Sequence, residues 1–315
     1  CGNNERKEKI MRKLDLGKIG LKASRISLGC MRMNALSEKD AEIMIKTALE
    51  NGMNFFDHAD IYGGGESERI FAKAAGMCPS VRETMLIQSK CGIRPGMFDF
   101  SKEHILKAVD GSLERLKTEY LDVLLLHRPD TLMEPEEVAE AFSALKSSGK
   151  VRYFGVSNQH PFQMELLQKS FSDKLIVNQL QLSIAFSGMI DFGFHVNMKD
   201  EPSLNHDNGI LEYCRLHDIT IQAWSPFQYG FFEGVFLDSD KYPGLNAVLD
   251  QMAEKYGVSK TALAVAWISR HPAKMQTIVG TMKPKRLVEI CDSEKITLSR
   301  EDWYAIYRAA GNVLP

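Results

Sequence analysis

The sequence predicts a single (β/α)8 barrel, and three observations lead there. Eight short runs of β-branched and apolar residues recur along the chain, the pattern of strands buried on both faces. Longer stretches with apolar residues three and four apart separate them, as amphipathic helices require. Spread over 315 residues, the eight units average about 39 residues each, close to a (β/α)8 repeat. An open doubly wound sheet also alternates β and α, but it normally carries G-x-G-x-x-G after its first strand. Here the first run is followed by Gly29-Cys30-Met31-Arg32, and the glycine-rich Tyr62-Gly63-Gly64-Gly65-Glu66 follows the second run without that spacing.

In chain order the strand-like runs are RISLGCM (25–31), NFFDHAD (54–60), TMLIQSK (84–90), LDVLLLH (121–127), VRYFGVSN (151–158), IVNQLQLS (176–183), ITIQAWSP (219–226) and TIVG (277–280). The clearest helical stretches run from Ser37 to Asn51, Ser101 to Tyr120, Glu134 to Ser148 and Leu245 to His271. Ser37 and Ser101, each followed by an early acid, read as N-caps. Asn51-Gly52, Ser148-Gly149 and Tyr256-Gly257 read as helix stops. No Pro/Ser/Gly-rich linker divides the chain, so residues 1–13 are expected to be a tail and 14–315 one barrel domain. The unpatterned piece from Ser187 to Asn208, with Phe186, Phe192, Phe194 and His195 in or beside it, reads as an insertion loop.

Composition narrows the function classes. Apolar residues make up 44% and charged residues 25%, as in a globular protein with a sizeable core. A net charge of −2 gives no electrostatic reason to expect nucleic acid or an anionic membrane as partner. No apolar run is long enough to span a bilayer. The cysteines are scattered without C-x-x-C pairs or zinc-finger spacing, which predicts no metal and a reducing, cytoplasmic setting. Cys1 stands where an acylated lipoprotein cysteine would, so that reading stays open beside a trimmed terminus.

In such a barrel the chemistry gathers at the C-terminal ends of the strands. Asp57 ends the second run, with Tyr62 in the loop beyond it; Lys90 ends the third and His127 the fourth. Side chains alternate along a strand. Asp57 therefore shares a face with Phe55, Lys90 with Gln88 and Leu86, and His127 with Leu125 and Val123. If those faces point inward, an acid, an amine and an imidazole meet at one mouth beneath a phenol. A phenol ordinarily titrates near 10. An ammonium beside it favours phenolate and is expected to lower that value. Tyr62 is thus the candidate general acid for a carbonyl oxygen. Lys90 would tune it, Asp57 would hold Lys90, and His127 would orient the substrate.

These same segments resemble the aldo-keto reductase superfamily. FFDHADIYGGGESE (55–68) is similar to its Asp and Tyr motif, IQSKCG (87–92) to its Lys motif and LLLHRPD (124–130) to its His motif; GVSN (155–158), VNQLQLS (177–183) and WSPF (224–227) resemble its cofactor segments. The likeness runs from about Leu14 to the last helix. Through Gly280 to Arg286 it looks most like the bacterial YdhF-type oxidoreductases. It implies an NADP(H)-dependent enzyme that reduces an aldehyde or ketone to an alcohol, its partner a small-molecule carbonyl compound. Relatives that serve as cofactor sensors with little turnover supply the alternative.

Carried onto this chain, the resemblance implies that Ser157, Asn158 and Gln179 hold the nicotinamide carboxamide. Trp224 would stack on the ring where the family more often has Tyr or Phe. Ser225, Pro226 and Phe227 would follow the pyrophosphate, with Gly280 and Thr281 opening the last phosphate loop. Lys283 and Arg286 would meet the 2′-phosphate, helped by a helix N-terminus beginning near Pro284. Met31 and Arg32, at the first strand's mouth, are candidates for contact with cofactor or substrate. The stretch Leu287 to Asp292 departs from the family's pattern, and no adenine contact is assigned to it.

Overall fold

Eight parallel strands close into a barrel in the computed structural model, which describes residues 11–315. Before the barrel comes a hairpin, β1 (Lys13–Leu16) and β2 (Leu21–Ser24). The barrel strands are β3 (Ile26–Gly29), β4 (Phe55–Asp57), β5 (Leu86–Cys91), β8 (Leu121–Leu126), β9 (Val151–Ser157), β10 (Leu175–Gln181), β11 (Thr220–Trp224) and β12 (Gln276–Val279), with β12 closing on β3. A small hairpin, β6 (Ile93–Arg94) with β7 (Met97–Phe98), follows β5. Each of the eight strand-like runs of the sequence became one barrel strand.

The surrounding helices are α1 (Glu38–Glu50), α2 (Glu66–Ala74), α3 (Pro79–Arg82), α4 (Lys102–Leu116), α5 (Pro135–Ser147), α6 (Pro161–Gln168), α7 (Gly188–Phe194), α8 (Ile210–Leu216), α9 (Pro243–Tyr256), α10 (Lys260–Arg270), α11 (Pro284–Cys291) and α12 (Arg300–Ala309). The expected caps are in place: Ser37 Oγ accepts from the Asp40 amide and Ser101 Oγ from the His104 amide. Two helical readings need correction. The stretch 245–271 is two helices, because Gly257 turns the chain at φ +64° and Ser259 caps a new helix. The stretch 101–120 stops at Leu116, where Lys117 takes a left-handed conformation.

The sequence reading had no counterpart for the first hairpin. It plugs the N-terminal end of the barrel: Leu16 and Ala23 pack with Phe55, Val123, Leu125 and Val177 in one buried cluster. Gly17 makes the close approach possible, since a Cβ there would stand 2.6 Å from Ile176 Cβ. Lys13, read as tail, is the first residue of β1, and Arg12 bonds the carboxylate and carbonyl of Glu294. Residues 1–10 of the expected tail, Cys1 included, lie outside the described residues, whereas Met11 is buried in the core. That inner cluster contains Phe55, Val123 and Leu125, so the parity argument put the right faces inside.

Above this apolar plug the barrel interior turns polar. Gln222 Nε2 donates to Gln88 Oε1 (3.1 Å) and Gln276 Oε1 (2.8 Å), while its own Oε1 accepts from Gln88 (2.8 Å) and Gln179 (3.0 Å). Gln276 in turn reaches the Ser24 carbonyl (2.7 Å), so the amide network runs from the plug to the mouth. Among the described residues, no helix is long and apolar enough to cross a membrane.

Candidate active site at the barrel mouth

Adjacent strand ends bring the predicted acid, amine and imidazole together. Register pairs Asp57 with Gln88 and Lys90 with Leu125, which sets β4, β5 and β8 in a rising step. Lys90 Nζ lies 2.8 Å from both Asp57 oxygens, 2.7 Å from the His58 carbonyl and 3.1 Å from the Tyr62 hydroxyl. Lys90 is fully buried and Asp57 nearly so. Gln88 Nε2 (2.6 Å) and Gln179 Nε2 (3.1 Å) also donate to Asp57 Oδ1, so the carboxylate accepts four bonds and is fixed in position.

Tyr62 owes its place to a glycine turn. Gly63, Gly64 and Gly65 have φ of +59°, +65° and +90°, conformations that cost other residues energy. The chain therefore reverses at once into α2 and leaves the phenol over β4. Its ring stands edge-on to His127, with centroids 5.9 Å apart. His127 follows the last residue of β8, and its amide bonds the Cys91 carbonyl.

The electrostatics differ from the sequence expectation in one respect. Burial pushes the Tyr62 phenol above its ordinary value, and the Lys90 ammonium opposes this without reversing it. The expected net lowering therefore does not hold: desolvation outweighs the ammonium. The phenol keeps its proton at neutral pH. For Lys90, burial works to lower the value, but Asp57 and then Tyr62 hold it above the usual range. Burial, Lys90 and Arg128 push His127 well below the ordinary imidazole value, so it is neutral. Its Nδ1 is buried without a hydrogen-bond partner among the described residues.

A cleft of about 690 Å³ opens above these groups. Asp57, Tyr62 and His127 line it, with Lys90 buried beneath. Every residue assigned to a cofactor lines it as well: Met31 and Arg32 after β3; Ser157 and Asn158 at the end of β9; Gln179 in β10; Trp224, Ser225, Pro226 and Phe227 from β11 onward; and Gly280, Thr281, Lys283 and Arg286 between β12 and α11.

Their donor sets suit a nicotinamide dinucleotide. Gln179 spends both N–H bonds on Asp57 and Gln222, leaving its carbonyl oxygen as a free acceptor on the cleft. Asn158 Nδ2 uses one N–H on Ser157 Oγ (2.7 Å) and keeps another for a carbonyl oxygen. Trp224 is steadied by its indole N–H on Asn158 Oδ1 (3.2 Å). Asn158 (φ +55°) and Ser225 (φ +51°) are both held in the left-handed region, a cost that tends to persist at functional sites. At α11, the N-cap residue Lys283 offers no side-chain acceptor and the first turn has no acid. Its N–H groups, beside Lys283 and Arg286, can therefore receive phosphate oxygens.

The chain matches the aldo/keto reductase family over residues 25–310. It belongs to that family. The oxidoreductase YcsN of Bacillus subtilis is 37% identical over 304 residues, covering 92% of this chain and 95% of that one. A 6-dehydroglucose reductase of Agrobacterium fabrum is 33% identical, covering 92% and 95%. Oxidoreductase YdhF of Escherichia coli is 32% identical, covering 96% and 98%, in keeping with the resemblance seen through 280–286. The fold is shared with an aldo-keto reductase of Klebsiella pneumoniae in complex with NADPH, at a TM-score of 0.78 and 23% identity, covering 97% of each chain.

Several cleft residues escaped the sequence reading. Ile61 and Ile93, Arg128, and Phe231 and Phe232 line it too. Arg128 had a signal, since it directly follows His127. The Gly230-Phe231-Phe232 segment had one as well, a paired aromatic in a loop beyond a strand end. The 187–208 insertion, by contrast, is not part of the cleft wall. It contains α7 and packs on α12, with Phe194 against Tyr304 and Tyr307, Tyr307 donating to Asp191, and His195 bonded to Asp200 and the Val313 carbonyl.

Proposed function

We propose that this protein is an NADPH-dependent reductase of aldehydes or ketones, with Tyr62 as the general acid. One observation carries the reading: a buried ammonium joins Asp57 to the hydroxyl of Tyr62 at the floor of a cleft. NADPH, when bound, supplies hydride to the carbonyl carbon. Ser157, Asn158 and Gln179 would hold its carboxamide and Trp224 its ring. Lys283, Arg286 and the start of α11 would receive its 2′-phosphate.

The chain's own task is the proton. A carbonyl oxygen between Tyr62 Oη and the His127 ring receives a hydrogen bond from each. As negative charge gathers on that oxygen, the phenol proton passes to it. Lys90, 3.1 Å away, then stabilises the phenolate left behind. Asp57 balances the ammonium throughout and keeps it aimed. His127, being neutral, can donate without surrendering its own proton, which makes it an orienting group.

Replacing Tyr62 by Phe removes one oxygen and leaves the cleft's shape. Loss of a positioned general acid is worth roughly 10²–10⁴ in rate. We expect Tyr62→Phe to lose about that much in kcat with an aldehyde panel, while NADPH fluorescence titration gives an unchanged Kd. Wild-type turnover in the variant would remove the assignment.

A further inference from the structure

Two arginines on the cleft wall have no work in the scheme above. Among the described residues the cleft is lined by Arg32, Arg128, Lys283 and Arg286, and Asp57 is its one carboxylate, already committed to Lys90. Lys283 and Arg286 flank the start of α11. Arg128 lies at the other end, next in sequence to His127. Its guanidinium carbon is 5.7 Å from the centre of the Trp224 ring and 5.3 Å from that of Phe231.

Arg128 forms no ion pair with any described carboxylate. The acid nearest in sequence, Asp130, faces elsewhere: its oxygens accept the Phe100 amide (2.9 Å) and the Leu132 amide (2.9 Å). A half-buried guanidinium without a counter-ion is costly to keep. Stacking on aromatic faces offsets part of that cost and orients the planar fork. The fork is then presented beside the carbonyl-orienting imidazole, in a cleft whose wall includes the apolar Ile61, Ile93, Phe231 and Phe232.

Resting on the reductase reading, we propose that Arg128 is a specificity-determining residue and that the substrates are carbonyl compounds with an apolar body and an anionic group, a carboxylate above all. Arg32, exposed at the rim, strengthens the positive field around the entrance. The anion and the carbonyl bind together: His127 and Tyr62 take the carbonyl oxygen, and Arg128 takes the anion with two parallel bonds.

The test uses a matched pair of aldehydes, benzaldehyde and 4-carboxybenzaldehyde, with the full chain and NADPH. The wild-type protein should favour the carboxylated aldehyde by about tenfold or more in kcat/KM, as one charge-assisted bidentate contact allows. In Arg128→Gln that ratio should fall toward one, because the anionic aldehyde loses more than the neutral one. Arg128→Lys should restore part of it. The NADPH Kd, read by fluorescence, should not change.

A wild-type ratio near or below one overturns the proposal while leaving the reductase reading intact. So does an Arg128→Gln variant that loses NADPH affinity and slows both aldehydes alike, for then the arginine serves the cofactor. If the wild-type protein turned over neither aldehyde, the reductase reading would fall. The anion site would then be judged by calorimetry of benzoate with the NADPH complex. Binding that Arg128→Gln abolishes keeps it, and equal binding or none removes it.

Discussion

Asp60 sits between the end of β4 and Tyr62, and replacing its carboxyl should stabilise this protein. Burial, with help from Glu68, pushes its carboxyl from 3.8 up to about 7, and one of its oxygens has no hydrogen-bond partner among the described residues. The folded state thus prefers the protonated acid. The stability this preference gives is complete below 3.8, where both states are protonated. It is lost progressively as pH rises to about 7, because the unfolded chain ionises first. Roughly three units at about 1.4 kcal/mol each give an upper bound near 4 kcal/mol above pH 7.

At pH 5 only about 1–2 kcal/mol of that has been lost. Asp60→Asn keeps the acceptor for the Ile61 amide and cannot ionise. Its advantage over wild type should therefore grow by about 2–3 kcal/mol between pH 5 and pH 8, and by at least about 1 kcal/mol after relaxation and water access are allowed for. The comparison must be between variant and wild type. His58, pushed down to about 3, shifts wild-type stability the opposite way, its contribution lost as pH falls from 6.5. Urea unfolding at the two pH values, followed by tryptophan fluorescence, reads the difference directly. An advantage of the same size at both values would refute the reasoning.

Other sites give sharper single outcomes. If Arg286 meets the 2′-phosphate as proposed, Arg286→Ala removes a charge-assisted contact worth about 1.5–3 kcal/mol, so NADPH should bind about 10–100-fold more weakly while NADH is little affected; fluorescence titration with each cofactor checks this. Gly155→Ala would put a Cβ 2.7 Å from the Val177 carbonyl and 2.8 Å from Leu125 Cδ2, and should cost about 1–3 kcal/mol in urea unfolding through overpacking of β9. Gln222→Leu strips four hydrogen bonds from Gln88, Gln179 and Gln276 at once. At about 1–3 kcal/mol for each orphaned buried group, it should lower the unfolding midpoint more than Gly155→Ala does.

What could be read in advance follows from which interactions are local. Strands buried on both faces must be apolar runs, so all eight were visible, and parity alone aimed Asp57, Lys90 and His127 inward. The plug hairpin was hidden because β1 and β2 are four residues each and mix charge with apolar residues, as Lys13-Leu14-Asp15-Leu16 does. Their burial comes from the barrel floor, not from their own pattern. The net effect on Tyr62 was misjudged for a related reason: the ammonium next to it is a pairwise fact, but desolvation depends on everything above the ring. The Phe231-Phe232 wall was missed because its loop has no periodicity, whereas the 187–208 loop drew attention by length and turned out to pack on α12.

Strands this apolar make the glutamines informative. Gln88, Gln222 and Gln276 face inward one layer beneath the cleft, with Gln179 at its floor, where Leu or Val would pack without polar obligations. A simple hydrophobic core would leave Asp57 Oδ1 with Lys90 alone, free to pivot. With Gln88 and Gln179 donating to the same oxygen, and both tied through Gln222, the carboxylate can hardly move without breaking a network that reaches Ser24. Lys90 inherits that rigidity, and through it the hydroxyl of Tyr62. The arrangement divides the barrel's labour by depth: the plug layer carries hydrophobic stability, the amide layer converts it into fixed position, and the mouth presents the positioned groups to the cleft.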